Sequence, residues 1–138
     1  MNERHEFNRK IIEEFRANAG KVGGMFANAP MILITTTGAK SGQARTTPLV
    51  YSKDGDRYVI IASMAGAPNN PDWYHNLKTH PTATVEIGAE KFKVKAGIAT
   101  GDDRERLYNQ QAALLPMFND YRKKTTRQIP VFVLERVA

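Results

Sequence analysis

Apolar and polar positions along this 138-residue chain follow two periods, and the switches between them mark its elements. Between Glu3 and Ala19, Phe7, Ile11, Ile12 and Phe15 recur at helical spacing while Arg4, Arg9, Lys10 and Arg16 take the other faces, which predicts an amphipathic helix. Gly20-Lys21-Val22-Gly23-Gly24 ends it in a flexible joint. Met31 to Thr37, Ala44 to Ser52 and Arg57 to Ser63 are short β-branched and apolar runs divided by turn residues, including Lys53-Asp54-Gly55-Asp56, and predict an antiparallel meander. Asn70-Pro71-Asp72 has the chemistry of a helix start, with Asn70 as cap, Pro71 in the first turn and Asp72 beside the positive end of the dipole. Pro81 closes that helix. Thr82 to Ile87 and Lys91 to Ala99 form a hairpin across Gly88-Ala89-Glu90, with Lys91, Lys93 and Lys95 on a wet face and Phe92, Val94 and Ala96 on a dry one. A helix follows Thr100-Gly101-Asp102-Asp103 as far as Leu115, Pro116 restarts it through Tyr121, and Ile129 to Arg136 is a final strand.

This order lacks the regular strand-helix alternation of a doubly wound parallel sheet. The expected fold is α+β, mainly antiparallel β, with the sheet closing into a small barrel and the helices packed outside. Two units are expected: residues 1–24 as helix and joint, and 25–138 as the barrel.

Composition narrows the chemistry. The chain has no cysteine, which removes disulfides, thiolate catalysis and cysteine-based metal centres. Its start is charged, and no run approaches the roughly 18 apolar residues of a membrane span, so a cytoplasmic protein is expected. A net charge of +6 favours an acidic partner: nucleic acid, anionic lipid or a polyanionic cofactor. For the Lys91, Lys93 and Lys95 face, an edge strand guarded by lysines is the commoner explanation, and no recognition helix or stacking motif accompanies it, so no nucleic-acid partner is expected.

The densest motif is Thr35 to Pro48, where Gly38 and Gly42 flank Lys40 and Ser41 and are followed by Arg45. Such a turn can aim backbone N–H groups and cations at phosphate oxygens. A water-facing hairpin turn explains the same residues equally well. The loop matches neither the Walker pattern nor the dinucleotide fingerprint. His5, His75 and His80 lack metal-site spacing, Ser41 and Ser63 lie in no nucleophile elbow, and Asp102 and Asp103 serve a helix dipole, so no metal site and no hydrolytic centre is expected. A cradle with aromatics and no intrinsic reactive group is the profile of a protein whose cofactor carries the chemistry.

Thr35 to Arg45, then Pro48-Leu49, Ala62-Ser63 and Asn70-Pro71-Asp72-Trp73-Tyr74-His75-Asn76-Leu77, in this order and spacing, closely resemble the deazaflavin-dependent nitroreductase family of flavin/deazaflavin oxidoreductases. The resemblance runs from about Pro30 to the C-terminus. It implies a split β-barrel of the flavin-reductase type and hydride transfer from reduced coenzyme F420, an 8-hydroxy-5-deazaflavin with a phosphate and an oligoglutamate tail, to a small electron-poor acceptor. FMN in the same barrel is the alternative cofactor, and a non-catalytic deazaflavin carrier the alternative role.

Carried onto matching positions, the resemblance assigns Ala39, Lys40, Ser41, Arg45, Thr46, Thr47 and Pro48, continuing into Leu49 and Val50, to the phosphate-bearing arm and nearby tail. It assigns Ile61, Ala62, Ser63 and Met64 to the ring edge, and Asp72, Trp73, Tyr74, His75 and Asn76 to the opposite side. Ser63 and Tyr121 are the candidate catalytic hydroxyls. Leu115, Phe118 and Tyr121, with Phe7, Ile11 and Phe15 of the first helix, would wall the acceptor pocket. Where the family carries tyrosines this chain has Leu115 and Phe118, which cannot donate a hydrogen bond, so the resemblance implies a quinone or activated alkene ahead of a bulky nitro compound. The basic first helix could also touch an anionic membrane, and a monomer or homodimer is expected.

Overall fold

Period-two alternation sends Ile32, Ile34 and Thr36 of β1 (Met31–Thr37) to one side of a sheet and Met31 and Leu33 to the other, and all five are buried. The computed structural model describes residues 3–23, 29–63, 66, 67 and 69–137. Within it β1 is joined by β2 (Ala44–Val50), β3 (Ser52–Asp54), β4 (Arg57–Ile61), β5 (Thr82–Ile87), β6 (Glu90–Ile98) and β7 (Val131–Arg136). They form one antiparallel sheet in the order β2-β1-β5-β6-β7-β4-β3.

β2 and β3 are separated by Tyr51 alone yet stand at opposite ends of that order. The sheet must therefore curl until its two edges meet at Tyr51, which gives a half-barrel and corrects the expected meander. β4 turns back onto β3 and pairs with β7 rather than with the β1–β2 hairpin. Aromatic packing holds the corner: Tyr51 stands edge-on to Tyr58 at 5.8 Å, and Tyr58 lies 5.7 Å from Phe92.

Four helices cover the curl: α1 (Glu3–Ala17), α2 (Asp72–Thr79), α3 (Gly101–Leu114) and α4 (Met117–Lys124). Inside it, Ile32, Ile34, Ile60, Val85, Phe132 and Leu134 pack with Trp73 and Leu77 of α2. Outside, Leu107, Tyr108 and Ala112 of α3 and Phe118 of α4 cover Val59, Ile61, Val131 and Val133. On the other wing Ile11 and Phe15 of α1 pack with Val22, Met31 and Leu33. Each such fully buried side chain contributes about 1.5–3 kcal/mol of transfer free energy.

Two expectations for α1 change on this placement. Phe15 is 1 % exposed and Ile11 7 %, so both are core rather than open pocket wall, whereas Phe7 is 47 % exposed. Arg9 pairs with Glu6 and Glu13, and Arg16 with Glu86 of β5, so these arginines of the expected lipid-facing set are already neutralised by carboxylates. Among the described residues no helix is long and apolar enough to cross a membrane. Lys91 stands opposite Glu86 and Lys95 opposite Glu135 in the sheet register, which interleaves the lysine face with acid.

Candidate functional site

The glycine loop between β1 and β2 is closed by its own backbone. Gly38 N–H donates to Gln43 O at 2.8 Å, Gly42 N–H to Gly38 O at 3.0 Å and Gln43 N–H to Ser41 Oγ at 3.1 Å. Ala39 N–H donates to Oδ1 of the buried Asn76 at 2.9 Å, and Asn76 Nδ2 reaches Thr36 Oγ1 at 3.1 Å. Asn76 thus staples the loop to α2, a role that the sequence did not suggest. A Cβ on Gly38 would stand 2.4 Å from Ser41 Oγ, and Gly42 holds φ +71° with open space around it.

These bonds narrow the expectation that the loop aims backbone N–H groups at an anion, because those of Gly38, Gly42 and Gln43 are taken within the loop and that of Ala39 by Asn76. Side chains remain available to an anion. Lys40 and Arg45 are exposed, and among the described residues neither is paired with a carboxylate. With the Ser41 hydroxyl they form a donor set that suits phosphate.

Alternation divides the rest of the assigned β2 run. Arg45, Thr47 and Leu49 lie opposite Thr36, Ile34 and Ile32 and so face the inside of the curl, with Arg45 nearest the loop. Thr46, Pro48 and Val50 face outward; Thr46 Oγ1 is hydrogen-bonded to Thr35 Oγ1 at 2.8 Å, and Val50 packs against both outer clusters. A ligand lying inside the curl meets the first set of side chains and only the backbone of the second.

At the start of α2, Pro71 occupies the cap position without a side-chain cap bond, which corrects the assignment of Asn70. Trp73 is buried 5.6 Å from the Phe132 ring, and half-buried Tyr74 stands edge-on to Phe132 at 5.8 Å. Asp72 and His75 are exposed. A shallow cleft of about 230 Å³ borders Tyr74, Ile98, Thr100, Arg104, Gln128 and Pro130 and shares only Tyr74 with the assigned residues. Its one cation, Arg104, is spent on Ile129 O at 2.6 and 3.1 Å and on Glu105, so the cleft lacks a free charged group.

The assigned ring-edge segment follows β4. Ile61, Ala62 and Ser63 are buried, while Met64 lies outside the described residues. Asn70 Oδ1 accepts from Arg127 Nη1 at 2.7 Å, and the same guanidinium donates to Ala62 O at 3.1 Å, Ser63 O at 2.8 Å and Ala67 O at 2.9 Å. Desolvation lowers the pKa of Arg127 from its usual value. Sequence reasoning missed this residue because its partners lie 57–65 positions away, beyond any local spacing. Gly66, at φ +80°, lies so close to α4 that a Cβ there would stand 2.8 Å from Lys124 Cβ and 3.0 Å from Tyr121 O.

Leu115, Phe118 and Tyr121 do come together, in the cluster that contains Ile61, with Phe118 and Tyr121 edge-on at 5.2 Å. Burial, with Asp120 nearby, pushes the Tyr121 phenol up, so it keeps its proton at neutral pH. Tyr108 is also present but fully buried, its hydroxyl donating to Phe118 O at 2.6 Å. Ile11 and Phe15 belong to the separate α1 cluster, so the expected acceptor wall is divided between two clusters that share contact with Val50.

The family described as F420H(2)-dependent quinone reductase matches residues 7–136. An F420H(2)-dependent quinone reductase of Mycobacterium tuberculosis is 39% identical over 128 residues, which are 88% of this chain and 85% of that protein. A solved structure described as an F420-H2 dependent reductase superposes with a TM-score of 0.71 at 38% identity, covering 77% of this chain and 94% of that one. Another, described as a domain-swapped dimer, gives 0.74 at 33% identity over 95% and 98% of the two chains.

Proposed function

We propose, given that this chain belongs to the F420H(2)-dependent quinone reductase family, that it reduces a quinone with a hydride from reduced coenzyme F420. The family match over residues 7–136 carries the reading. The coenzyme supplies the hydride from carbon 5 of its deazaflavin ring. The fold that goes with it is a split β-barrel with an amphipathic first helix, and the domain-swapped relative makes a homodimer the assembly to test.

The residues present fit such a coenzyme: two cations without a carboxylate partner among the described residues and a hydroxyl beside a closed turn for the acidic arm, and the buried Ala62–Ser63 backbone with half-buried Tyr74 for a ring. Lys40, Ser41 and Arg45 hold the phosphate and tail, with Asn76 keeping their loop in place. Ala62 and Ser63 meet the ring edge, and Tyr74 closes the opposite rim. Leu115 and Phe118 exclude water from the acceptor. A quinone that accepts a hydride becomes a hydroquinone anion and needs one proton, and we assign to Tyr121, whose phenol stays protonated, the roles of hydrogen-bonding the developing charge and supplying that proton.

Anaerobic mixing of the protein with reduced F420 and menadione tests the reading. The expected result is saturable quenching of Trp73, the single tryptophan, by the coenzyme and menadione-dependent oxidation of it. Tighter uptake of FMN would move the assignment to a flavin reductase, and uptake without turnover on any quinone would make the protein a carrier.

A further inference from the structure

We propose that Arg127 is a positioning residue of this site, whose guanidinium clasps the Ser63 segment against α4 and orients the Ala62–Ser63 peptide for the coenzyme. The inference rests on the proposed function and adds a residue that neither motif nor family description assigns.

The geometry is specific to a planar fork. Nη1 spans Ala62 O and Asn70 Oδ1, Nη2 takes Ser63 O and Nε takes Ala67 O, so one side chain ties the end of β4 to the start of α2. Gly66 N–H closes the same turn on Ser63 O at 2.9 Å. Gly66 also sits against Tyr121 O and Lys124 Cβ without room for a side chain. The clasp and this contact therefore fix Ser63 relative to the helix that carries Tyr121, the other candidate hydroxyl. An ammonium cannot reach four acceptors arranged along such a plane.

Two physical consequences follow for the site. A trans peptide holds C=O and N–H antiparallel, so drawing Ala62 O toward Arg127 turns the Ser63 N–H away from it. A cation on the carbonyl also polarises the amide, which makes its N–H a stronger donor to a negatively charged ring edge. In a partly desolvated position the charge acts over a short distance through low dielectric. Removing the guanidinium leaves three carbonyls without their shared donor and frees the peptide to rotate.

Arg127→Ala and Arg127→Lys, measured beside wild type, test this. Arg127→Ala is expected to weaken F420 binding, read by Trp73 quenching, and to lower kcat by about 10–100-fold, the range for losing a hydrogen bond to a charged group. KM for menadione stays within about twofold, because a positioning defect at the ring falls on the chemical step rather than on acceptor binding. Added guanidinium ion below denaturing concentration restores part of the kcat of Arg127→Ala, and Arg127→Lys recovers less than the rescued variant does. Should Arg127→Ala fail to fold, Asn70→Ala removes one arm of the clasp and is expected to show the same split at smaller size. A folded Arg127→Ala with wild-type kcat and coenzyme affinity overturns the inference, as does a lowered melting temperature with unchanged kinetics. Absence of coenzyme uptake by wild type overturns the functional reading first, and the clasp with it.

Discussion

The two loops that flank the site solve opposite problems. The 38–43 loop is closed by its own backbone bonds and one staple from Asn76, and it presents Lys40, and Arg45 just beyond it, to solvent with no partner among the described residues. On the other side, the carbonyls of Ala62, Ser63 and Ala67 are gathered by a single cation, and Ala62, Ser63 and Gly66 are buried. In one the cations have no partner among the described residues; in the other the cation is consumed on backbone carbonyls. The difference teaches that charge count alone does not locate a binding site: Arg45 and Arg127 are indistinguishable by composition, and only their partners separate an available cation from a committed one.

Removing the free charge gives the largest effect. Lys40→Ala with Arg45→Ala is expected to weaken F420 binding by about 2–5 kcal/mol in a fluorescence titration. Because neither side chain has a partner among the described residues, stability in urea is expected to move by less than about 0.5 kcal/mol. An equal loss in both measurements would erase the contrast.

Glycine substitutions probe the other half of the comparison. Gly66→Ala meets both a left-handed backbone and the α4 contact and is expected to cost about 2–4 kcal/mol in urea unfolding. Gly42→Ala, at a similar φ but with no atom within 4 Å of the added methyl, should cost about 1–2 kcal/mol, the backbone term alone. Similar values for the two would mean that the 62–70 segment is no more tightly held than the glycine loop.

Asn76→Ala removes the staple, leaving Ala39 N–H unbonded, and is expected to cost about 1–3 kcal/mol of stability and to weaken coenzyme binding by loosening Lys40. Calorimetry beside the binding titration separates the two losses.

The smallest effect is in pH. Asp54 on β3 pairs with Arg106 of α3 and with Arg57, which hold its carboxyl down at about 2, below its ordinary 3.8. A depressed carboxyl gives stability that is present above the unfolded value and lost as pH falls through the folded one. Denaturant midpoints should therefore be flat in this contribution down to about pH 4 and fall toward pH 2, and Asp54→Asn should remove that part of the slope.

Much of the architecture was legible because it rests on local chemistry. The strand of alternating lysines, the restart at Pro116 and the helix around Trp73 all follow from short-range periodicity and from proline's missing donor, and they form where expected. The strand expected over 44–52 instead breaks at Tyr51, because one chain segment serves both edges of a curled sheet, and no local pattern encodes which edge a strand joins. Asn70 has the composition of a helix cap, yet its side chain is taken by an arginine 57 residues away. Phe7, Ile11 and Phe15 share a helical stripe, but burial separates them into two core residues and one at the surface.

By itself the sequence determined which residue types are available to the site: the glycine-lysine-serine turn, an arginine just beyond it, the aromatics around Trp73, and Leu115 and Phe118, which carry no hydroxyl. Tertiary structure alone decided how those residues are used. It spent four of the loop's N–H groups on hydrogen bonds, set Arg45 opposite Thr36 on the inside of the curl, and brought Arg127 to Ser63. The physical reason is range: spacing and propensity act over a few residues, whereas the hydrogen bonds that separate a free cation from a committed one close across some sixty, and form only when the sheet has curled.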